Sequence, residues 1–175
     1  MDKFEDKKIL KLQDLIIESN QNFLVLEDEE HIQEIITYFL EELGFDGKVF
    51  LAGTIEEAKK HINTQSIQYI FCDKNLPDGN GDAFLKAVRK SPKFWDIPVL
   101  MITAHMDVDN MLLSSRLGSS DYLTKPFTLQ QLEEKIVGGL KTHLIPTADK
   151  IHELKVKIIE LEDEIEDLKE QLSKK

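Results

Sequence analysis

The sequence predicts an α/β fold in which helices cover both faces of a doubly wound parallel sheet. Short apolar blocks alternate with helical patterns from Phe23 to about Leu140. Several blocks are nearly continuous in Val, Ile, Leu and Phe, as is typical of strands that are buried on both faces. The segments between the blocks are long enough for helical crossovers, which connect parallel strands with right-handed geometry.

Five of the apolar blocks are predicted as strands. Each is short and is followed by polar or turn-forming residues, so each can cross the core once. In chain order the predicted strands are Phe23–Leu26, Val49–Ala52, Tyr69–Cys72, Pro98–Ile102 and Asp121–Leu123.

The first predicted helix follows the first strand. Its apolar residues have the spacing of a helix with one buried face, and Gly44 stands where a C-cap residue is expected. The residues of this apolar face are Ile32, Ile35, Ile36, Phe39, Leu40 and Leu43.

Four further helices complete the pattern. A capping box, Thr54–Glu57, begins the second helix, and Ala83–Val88 begins a third that stops near Pro92. The fourth helix begins at Val108–Leu112, and the fifth covers Leu129–Lys141. Five strands alternating with five helices predict a flavodoxin-like (βα)5 domain over residues 21–143.

An N-terminal helical extension is predicted over residues 1–20. The apolar stripe of this helix is short. The helix either packs on the surface of the domain or serves as a partner-binding arm. The apolar residues of the stripe are Ile9, Leu12, Leu15 and Ile16.

A C-terminal coiled-coil helix is predicted over residues 150–175, after a linker at 144–149 that contains Pro146. Its apolar residues recur at alternating steps of three and four, with Leu at every d position and Ile at the a positions until Leu172, which favours a parallel two-stranded homodimer. Lys157 would face Glu162 of the second copy, although Lys150 would face Lys155 as a mismatch. The alternative is a stripe folded back on the domain. The seam residues are Ile151, Leu154, Ile158, Leu161, Ile165, Leu168 and Leu172.

The composition limits the possible partners. A formal net charge of −11 in 175 residues argues against a nucleic-acid-binding surface, which needs clustered Lys and Arg. No stretch has the length of an apolar membrane span, and the first residues lack signal-peptide character, so we expect a cytoplasmic protein without membrane contact. The single cysteine, Cys72, lies in an apolar block and is expected to be buried rather than reactive.

Charged and hydroxyl side chains follow four of the predicted strands. Glu27 and Asp28 follow the first strand, Asp73 the third, Thr103 the fourth and Lys125 the fifth. Because open α/β sheets bind ligands at the carboxyl ends of their strands, we expect these side chains to converge. Crowded carboxylates need a compensating cation, and oxygen ligands favour Mg²⁺ or Mn²⁺. With the ammonium and the hydroxyl, the set predicts a site for a divalent cation and a phosphoryl group, with Asp73 as the nucleophile.

These motifs, taken together and in order, resemble the receiver domains of bacterial two-component response regulators (CheY-like). The resemblance covers about Asn22 to Lys141. Phe23–Glu29 is similar to the first strand and acidic pair of that family, and Phe71–Gly81 to its phosphoacceptor strand and loop. Pro98–Ala104 and Asp121–Phe127 are similar to its last two strand ends.

The resemblance implies a role for each of these residues. Asp73 would accept a phosphoryl group from a histidine on a kinase or a phosphotransfer protein. Asp28 and Asp73 would bind Mg²⁺ directly, together with the backbone carbonyl of Asn75, and Glu27 would act through a metal-bound water. Lys125 would pair with the phosphoryl oxygens, and no other cofactor is implied.

The resemblance also implies a switch. Thr103 would move to hydrogen-bond the phosphoryl group, and Tyr122 would turn inward into the space that Thr103 leaves. This change would alter the surface formed by the fourth helix, the fifth strand and the fifth helix. The Lys125-Pro126 peptide bond is expected to be cis.

Two alternatives to a phosphorylation-controlled signalling module remain open. A phosphatase or phosphotransferase with an aspartyl nucleophile would need a general acid two positions after Asp73, where Asn75 stands instead. A phosphorylation-silent scaffold would act only through its coil, which the intact Asp28, Asp73, Thr103 and Lys125 argue against. We therefore expect a module that takes part in its own phosphotransfer and autodephosphorylation, with output through protein contact, rather than an enzyme.

Overall fold

The computed structural model describes residues 21–104 and 121–144, and five of its strands form one sheet. In chain order the strands are β1 (Phe23–Leu26), β2 (Val49–Ala52), β3 (Tyr69–Asp73), β4 (Val99–Thr103) and β5 (Asp121–Thr124). The sheet order is β2-β1-β3-β4-β5, and every neighbouring pair is parallel. The chain runs from β1 to one edge and then crosses to β3 on the other side, so the order reverses between β1 and β3. This topology confirms the predicted flavodoxin-like sheet and places a crevice at the carboxyl ends of β1 and β3.

Four helices are described around the sheet. The fourth predicted helix, near Val108, lies outside the described residues, as do the predicted N-terminal helix and the predicted coiled coil. In the part of the chain that the structure describes, no helix has the length and apolar character needed to cross a membrane. The helices are α1 (Glu30–Glu42), α2 (Ile55–Thr64), α3 (Gly81–Lys90) and α4 (Leu129–Leu144), of which α4 is the fifth predicted helix.

The helix ends follow the local signals in the sequence, with one difference. Gly44 has a φ of 82°, a left-handed conformation that suits glycine just after a helix. The Thr54 side chain accepts a hydrogen bond from the Glu57 N–H at 3.2 Å, as the capping box predicts. The Glu57 carboxylate accepts from the Gly53 N–H at 2.8 Å, one residue earlier than the standard reciprocal bond to the cap residue.

Side chains of the sheet alternate between two apolar cores. Leu24 and Leu26 face a core shared with α2 and α3, whereas Phe23 and Val25 face a core shared with α1 and α4. All four side chains are fully buried. This alternation explains why β1 is apolar at every position, since a strand between two helical layers has no solvent face.

Three strands end one residue later than the sequence predicts. β3 includes Asp73, β4 covers Val99–Thr103, and β5 includes Thr124. The sheet pairing continues past the apolar blocks, because the Lys74 N–H donates to the Ile102 carbonyl and the Lys125 N–H to the Thr103 carbonyl. Backbone pairing therefore fixes Asp73 and Thr103 directly on strand ends.

Two adjacent glycines in α4 provide a matched stability test. A Cβ on Gly139 would lie 2.7 Å from Cε2 of Tyr69, whereas a Cβ on Gly138 would meet no atom within 4 Å. Tyr69 is fully buried, and its hydroxyl donates to the Lys135 carbonyl at 3.1 Å, so the ring has little freedom to move.

We expect Gly139→Ala to lower the free energy of unfolding by about 1–3 kcal/mol, because the methyl group overpacks against Tyr69. We expect Gly138→Ala to raise it by about 0.5–1 kcal/mol, because alanine is favoured over glycine inside an exposed helix. Urea unfolding of both variants checks the pair. Equal effects of the two substitutions would contradict the described packing of Gly139 on Tyr69.

Candidate functional site

Three carboxylates meet at the carboxyl edge of the sheet. Because Leu26 of β1 is paired with Cys72 of β3, the residues that follow each of them lie side by side. One carboxylate oxygen from each of Glu27, Asp28 and Asp73 lies within 4.8 Å of the other two. Glu27 is fully buried and Asp73 is 6% exposed, whereas Asp28 is open to solvent. The structure thus brings together the acidic residues that the strand-end argument groups.

Lys125 inserts its ammonium group into this acidic cluster. The Nζ atom lies 2.6 Å from Oε2 of Glu27, 2.9 Å from Oδ1 of Asp73 and 3.3 Å from Oε1 of Glu29. Its backbone N–H donates to the Thr103 carbonyl at 2.8 Å, which fixes the residue at the end of β5. The Lys125-Pro126 peptide bond is cis, as expected.

The charges in this cluster depend on one another. Burial raises the pKa of Glu27 and the negative charge of Asp73 raises it further, while the hydrogen bond and charge of Lys125 oppose both effects. Burial alone would lower the pKa of Lys125, but the hydrogen bonds and charges of Glu27 and Asp73 outweigh it and raise that pKa. The lysine is therefore a permanent cation that holds the two buried carboxylates in place.

The donor set fits a hard divalent cation. The cluster offers carboxylate oxygens only, and its three carboxylates exceed the single ammonium in charge. A cation with oxygen ligands, such as Mg²⁺ or Mn²⁺, would compensate the excess.

Asp73 is held at both of its carboxylate oxygens. Oδ1 pairs with Lys125 at 2.9 Å, and Oδ2 accepts the Asn75 backbone N–H at 2.6 Å. The carboxylate therefore has a fixed orientation before any ligand binds. The structure thus places Asn75 beside Asp73, and the metal-binding role of its carbonyl stays a prediction.

The two predicted switch residues lie on neighbouring strands. Thr103 is 7% exposed and ends β4, while Tyr122 of β5 is 9% exposed and is paired with Met101. Tyr122 belongs to the apolar core on the side of α2 and α3. The described conformation therefore already has Tyr122 inside, and the exchange of positions between Thr103 and Tyr122 stays a prediction.

The segment 74–80, which we call the Asp73 loop, is anchored at its tip. The Asp78 carboxylate accepts hydrogen bonds from the N–H groups of Ile55 and Glu56, at 2.9 and 3.1 Å, at the start of α2. These bonds, led by that from Ile55, lower the pKa of Asp78. The loop also contains a short antiparallel ladder in which Asn75 pairs with Asn80.

Sequence reasoning missed three of these features. Glu29 contacts Lys125, Asp78 caps a helix more than twenty residues away, and Lys74 forms an ion pair with Asp82. The run of acidic residues after β1 was a usable signal for Glu29. The Asp78 contact joins segments more than twenty residues apart, and Lys74 and Asp82 meet because the Asp73 loop between them closes at its base, so no local pattern indicates either contact.

Comparisons with known proteins agree with this fold and identify a family. The family model of the response regulator receiver domain matches residues 23–137. The phosphate regulon transcriptional regulatory protein PhoB of Escherichia coli (strain K12) is 33% identical over 116 residues, which cover 66% of this chain and 50% of PhoB. The chain thus spans about half the length of the curated relatives it matches.

Solved structures show the same fold. The Francisella response regulator 1452 receiver domain is 31% identical with a TM-score of 0.62, and the match covers 70% of this chain and 99% of that one. The Mn²⁺-bound form of response regulator Rcp1 is 23% identical with a TM-score of 0.58, and the match covers 73% and 96% of the two chains. On these findings, the chain belongs to the response regulator receiver domain family of two-component signalling.

Proposed function

We propose that Asp73 accepts a phosphoryl group from a histidine on a kinase or a phosphotransfer protein. The observation that carries this proposal is the fixed Asp73 carboxylate, 2.9 Å from the Lys125 ammonium and inside a cluster of three acidic residues. A buried carboxylate with a cation at one oxygen is oriented for attack on phosphorus. Its neighbours can neutralise the negative charge that the transfer brings in.

In the transfer, an Asp73 carboxylate oxygen forms a bond to phosphorus. The bond between phosphorus and the histidine nitrogen breaks, and its electron pair stays on the imidazole. Lys125 pairs with the phosphoryl oxygens and loses part of its contact with Glu27. In this way the protein would take part in its own phosphorylation. It would also take part in the later hydrolysis, in which water attacks phosphorus, the bond between phosphorus and the Asp73 oxygen breaks, and inorganic phosphate and the Asp73 carboxylate are released.

A divalent cation would complete the site. Asp28 and Asp73 would hold Mg²⁺ with the Asn75 carbonyl, and Glu27 would act in the outer shell. The cation supplies positive charge to the phosphoryl oxygens when it is bound. Rcp1 in its Mn²⁺-bound form is a fold neighbour, which supports Mn²⁺ as a second occupant.

Phosphorylation would act on the rest of the molecule through Thr103. Its hydroxyl would donate to a phosphoryl oxygen, and Tyr122 would fill the space behind it. New charge-assisted hydrogen bonds of this kind bias an element between two arrangements. Phosphorylation would change the surface formed by the fourth predicted helix, β5 and α4, and it would also change the arrangement of the dimer. The output would pass through protein–protein contact.

Labelling with a small phosphodonor tests the site. The protein is incubated with acetyl phosphate and Mg²⁺, digested, and mapped by mass spectrometry. We expect one hydroxylamine-labile phosphoryl group on the peptide that contains Asp73, because acyl phosphates react with hydroxylamine. Label on any other residue, or labelling that persists without a divalent cation, would overturn the proposal.

We also expect the protein to be a homodimer through the predicted coil at residues 150–175. Truncation before Pro146 removes every seam residue and should convert the dimer to a monomer. Sedimentation equilibrium of the full chain and the truncated chain measures the change. A solution mass that corresponds to the same number of copies in both would remove the coil from the proposal.

A further inference from the structure

The base of the Asp73 loop is closed by backbone hydrogen bonds at Lys74. The Lys74 N–H donates to the Ile102 carbonyl at 3.0 Å, and the Lys74 carbonyl accepts from the Gly81 N–H at 2.8 Å. A Cβ on Gly81 would lie only 2.2 Å from the Asp73 carbonyl oxygen, so the start of α3 is pressed against the end of β3. A shift at the base of the loop would therefore move Asp73 and Asn75 together.

An ion pair links the same two segments, the end of β3 and the start of α3. Nζ of Lys74 lies 3.6 Å from Oδ2 of Asp82, and the two side chains are only 12% and 14% exposed. Asp82 is fixed in the first turn of α3, where its N–H donates to the Asn80 side chain at 2.7 Å. The ammonium is buried and has no hydrogen-bond acceptor among the described residues, so Asp82 is its described counter-charge.

Burying these charges has an energetic cost, since removing an ammonium and a carboxylate from water is costly even when they pair. An exposed loop would avoid this cost by turning the lysine outward. The pair is placed instead between the residue after Asp73 and the helix that follows the loop. This position suits a device that holds the loop in one arrangement.

We propose that the Lys74–Asp82 ion pair is a positioning device for phosphoryl transfer. It fixes the base of the loop so that the Asn75 N–H stays on Oδ2 of Asp73 and the Asn75 carbonyl stays at the metal-binding edge. This inference rests on the proposed function of Asp73. The ammonium pairs with Asp82 rather than with the Asp73 carboxylate, so Lys74 acts through the loop and is not a catalytic residue.

The test is the double variant Lys74→Met/Asp82→Asn, which removes both charges and leaves the net charge unchanged. Labelling with acetyl phosphate is measured as a function of Mg²⁺ concentration in the full chain. We expect the half-saturating Mg²⁺ concentration to rise about 10-fold, as is typical when an outer-shell partner of a metal site is lost. At saturating Mg²⁺ the label should remain on Asp73. The single variant Lys74→Arg, which keeps a cation beside Asp82, should have a half-saturating Mg²⁺ concentration close to that of the wild type.

The chain offers a matched control in the Lys60–Glu56 pair, whose side chains are 69% and 77% exposed. The double variant Lys60→Met/Glu56→Gln should leave the Mg²⁺ response unchanged. If the wild type and Lys74→Met/Asp82→Asn have equal half-saturating Mg²⁺ concentrations, the inference is overturned and the proposed function stays intact. Failure of wild-type Asp73 to label would overturn the proposed function itself. Should the double variant not fold, Lys74→Gln/Asp82→Asn serves as the variant with the same 10-fold expectation, because it also removes both charges and leaves neither buried without its partner.

Discussion

Asp73→Asn is expected to abolish labelling by acetyl phosphate in the presence of Mg²⁺. The amide lacks the anionic oxygen that attacks phosphorus, whereas the Asp73 carboxylate is paired with the Lys125 ammonium at 2.9 Å and accepts the Asn75 N–H at 2.6 Å. Glu27 is also paired with Lys125 and accepts the Glu29 N–H at 3.3 Å, but its side chain is fully buried, whereas Asp73 is 6% exposed. Phosphate incorporation, measured by intact mass before and after hydroxylamine, checks the expectation.

The variant should remain folded, which makes its loss of labelling informative. Lys125 keeps its contact with Glu27 at 2.6 Å, and removal of one carboxylate reduces repulsion inside the cluster. Asp78→Asn is the matched control, because Asp78 lies in the same loop and can still accept one hydrogen bond from α2 through an amide oxygen. Asp78→Asn should be labelled as the wild type is, and metal-dependent labelling that survives in Asp73→Asn would refute the assignment.

The sheet and its site edge could be predicted from sequence because both depend on short-range patterns. A strand buried on two faces must be apolar along most of its length, so a charged residue such as Glu27 or Asp73 marks the point where the apolar run ends. Parallel pairing then aligns these points at one edge, and the contacts of Lys125 follow from its place after β5. The roles given to these residues go beyond position and stay predictions.

Other features could not be predicted, because they depend on how the Asp73 loop folds against the helices beside it. Asp78 lies in a turn-like stretch, and its helix-capping role exists only because the Asp73 loop folds against the start of α2. The Lys74–Asp82 pair likewise depends on how tightly α3 begins against β3. The predicted coil and the predicted fourth helix lie outside the described residues, so their sequence patterns stay untested.

Lys125→Met is expected to lower the free energy of unfolding by about 3–5 kcal/mol in the absence of divalent cations, the range for breaking a buried ion pair. Methionine keeps the aliphatic stem but leaves Glu27 and Asp73 facing each other without the ammonium that now lies 2.6 and 2.9 Å from them. Urea unfolding with a chelator present measures the loss. Labelling by acetyl phosphate should also fall sharply, because the cation that pairs with the phosphoryl oxygens is gone.

Two comparisons separate a site-specific effect from a general loss of charge. Lys135→Met breaks the pair with Asp121 at 2.7 Å, but those side chains are 33% and 43% exposed, so the loss should be at most about 1 kcal/mol. Mg²⁺ should stabilise Lys125→Met more than wild type, because a bound cation replaces the missing positive charge beside the carboxylates. Two results together would show that Lys125 does not neutralise the buried acidic cluster. Lys125→Met would lose no more unfolding free energy than Lys135→Met, and Mg²⁺ would stabilise Lys125→Met and the wild type equally.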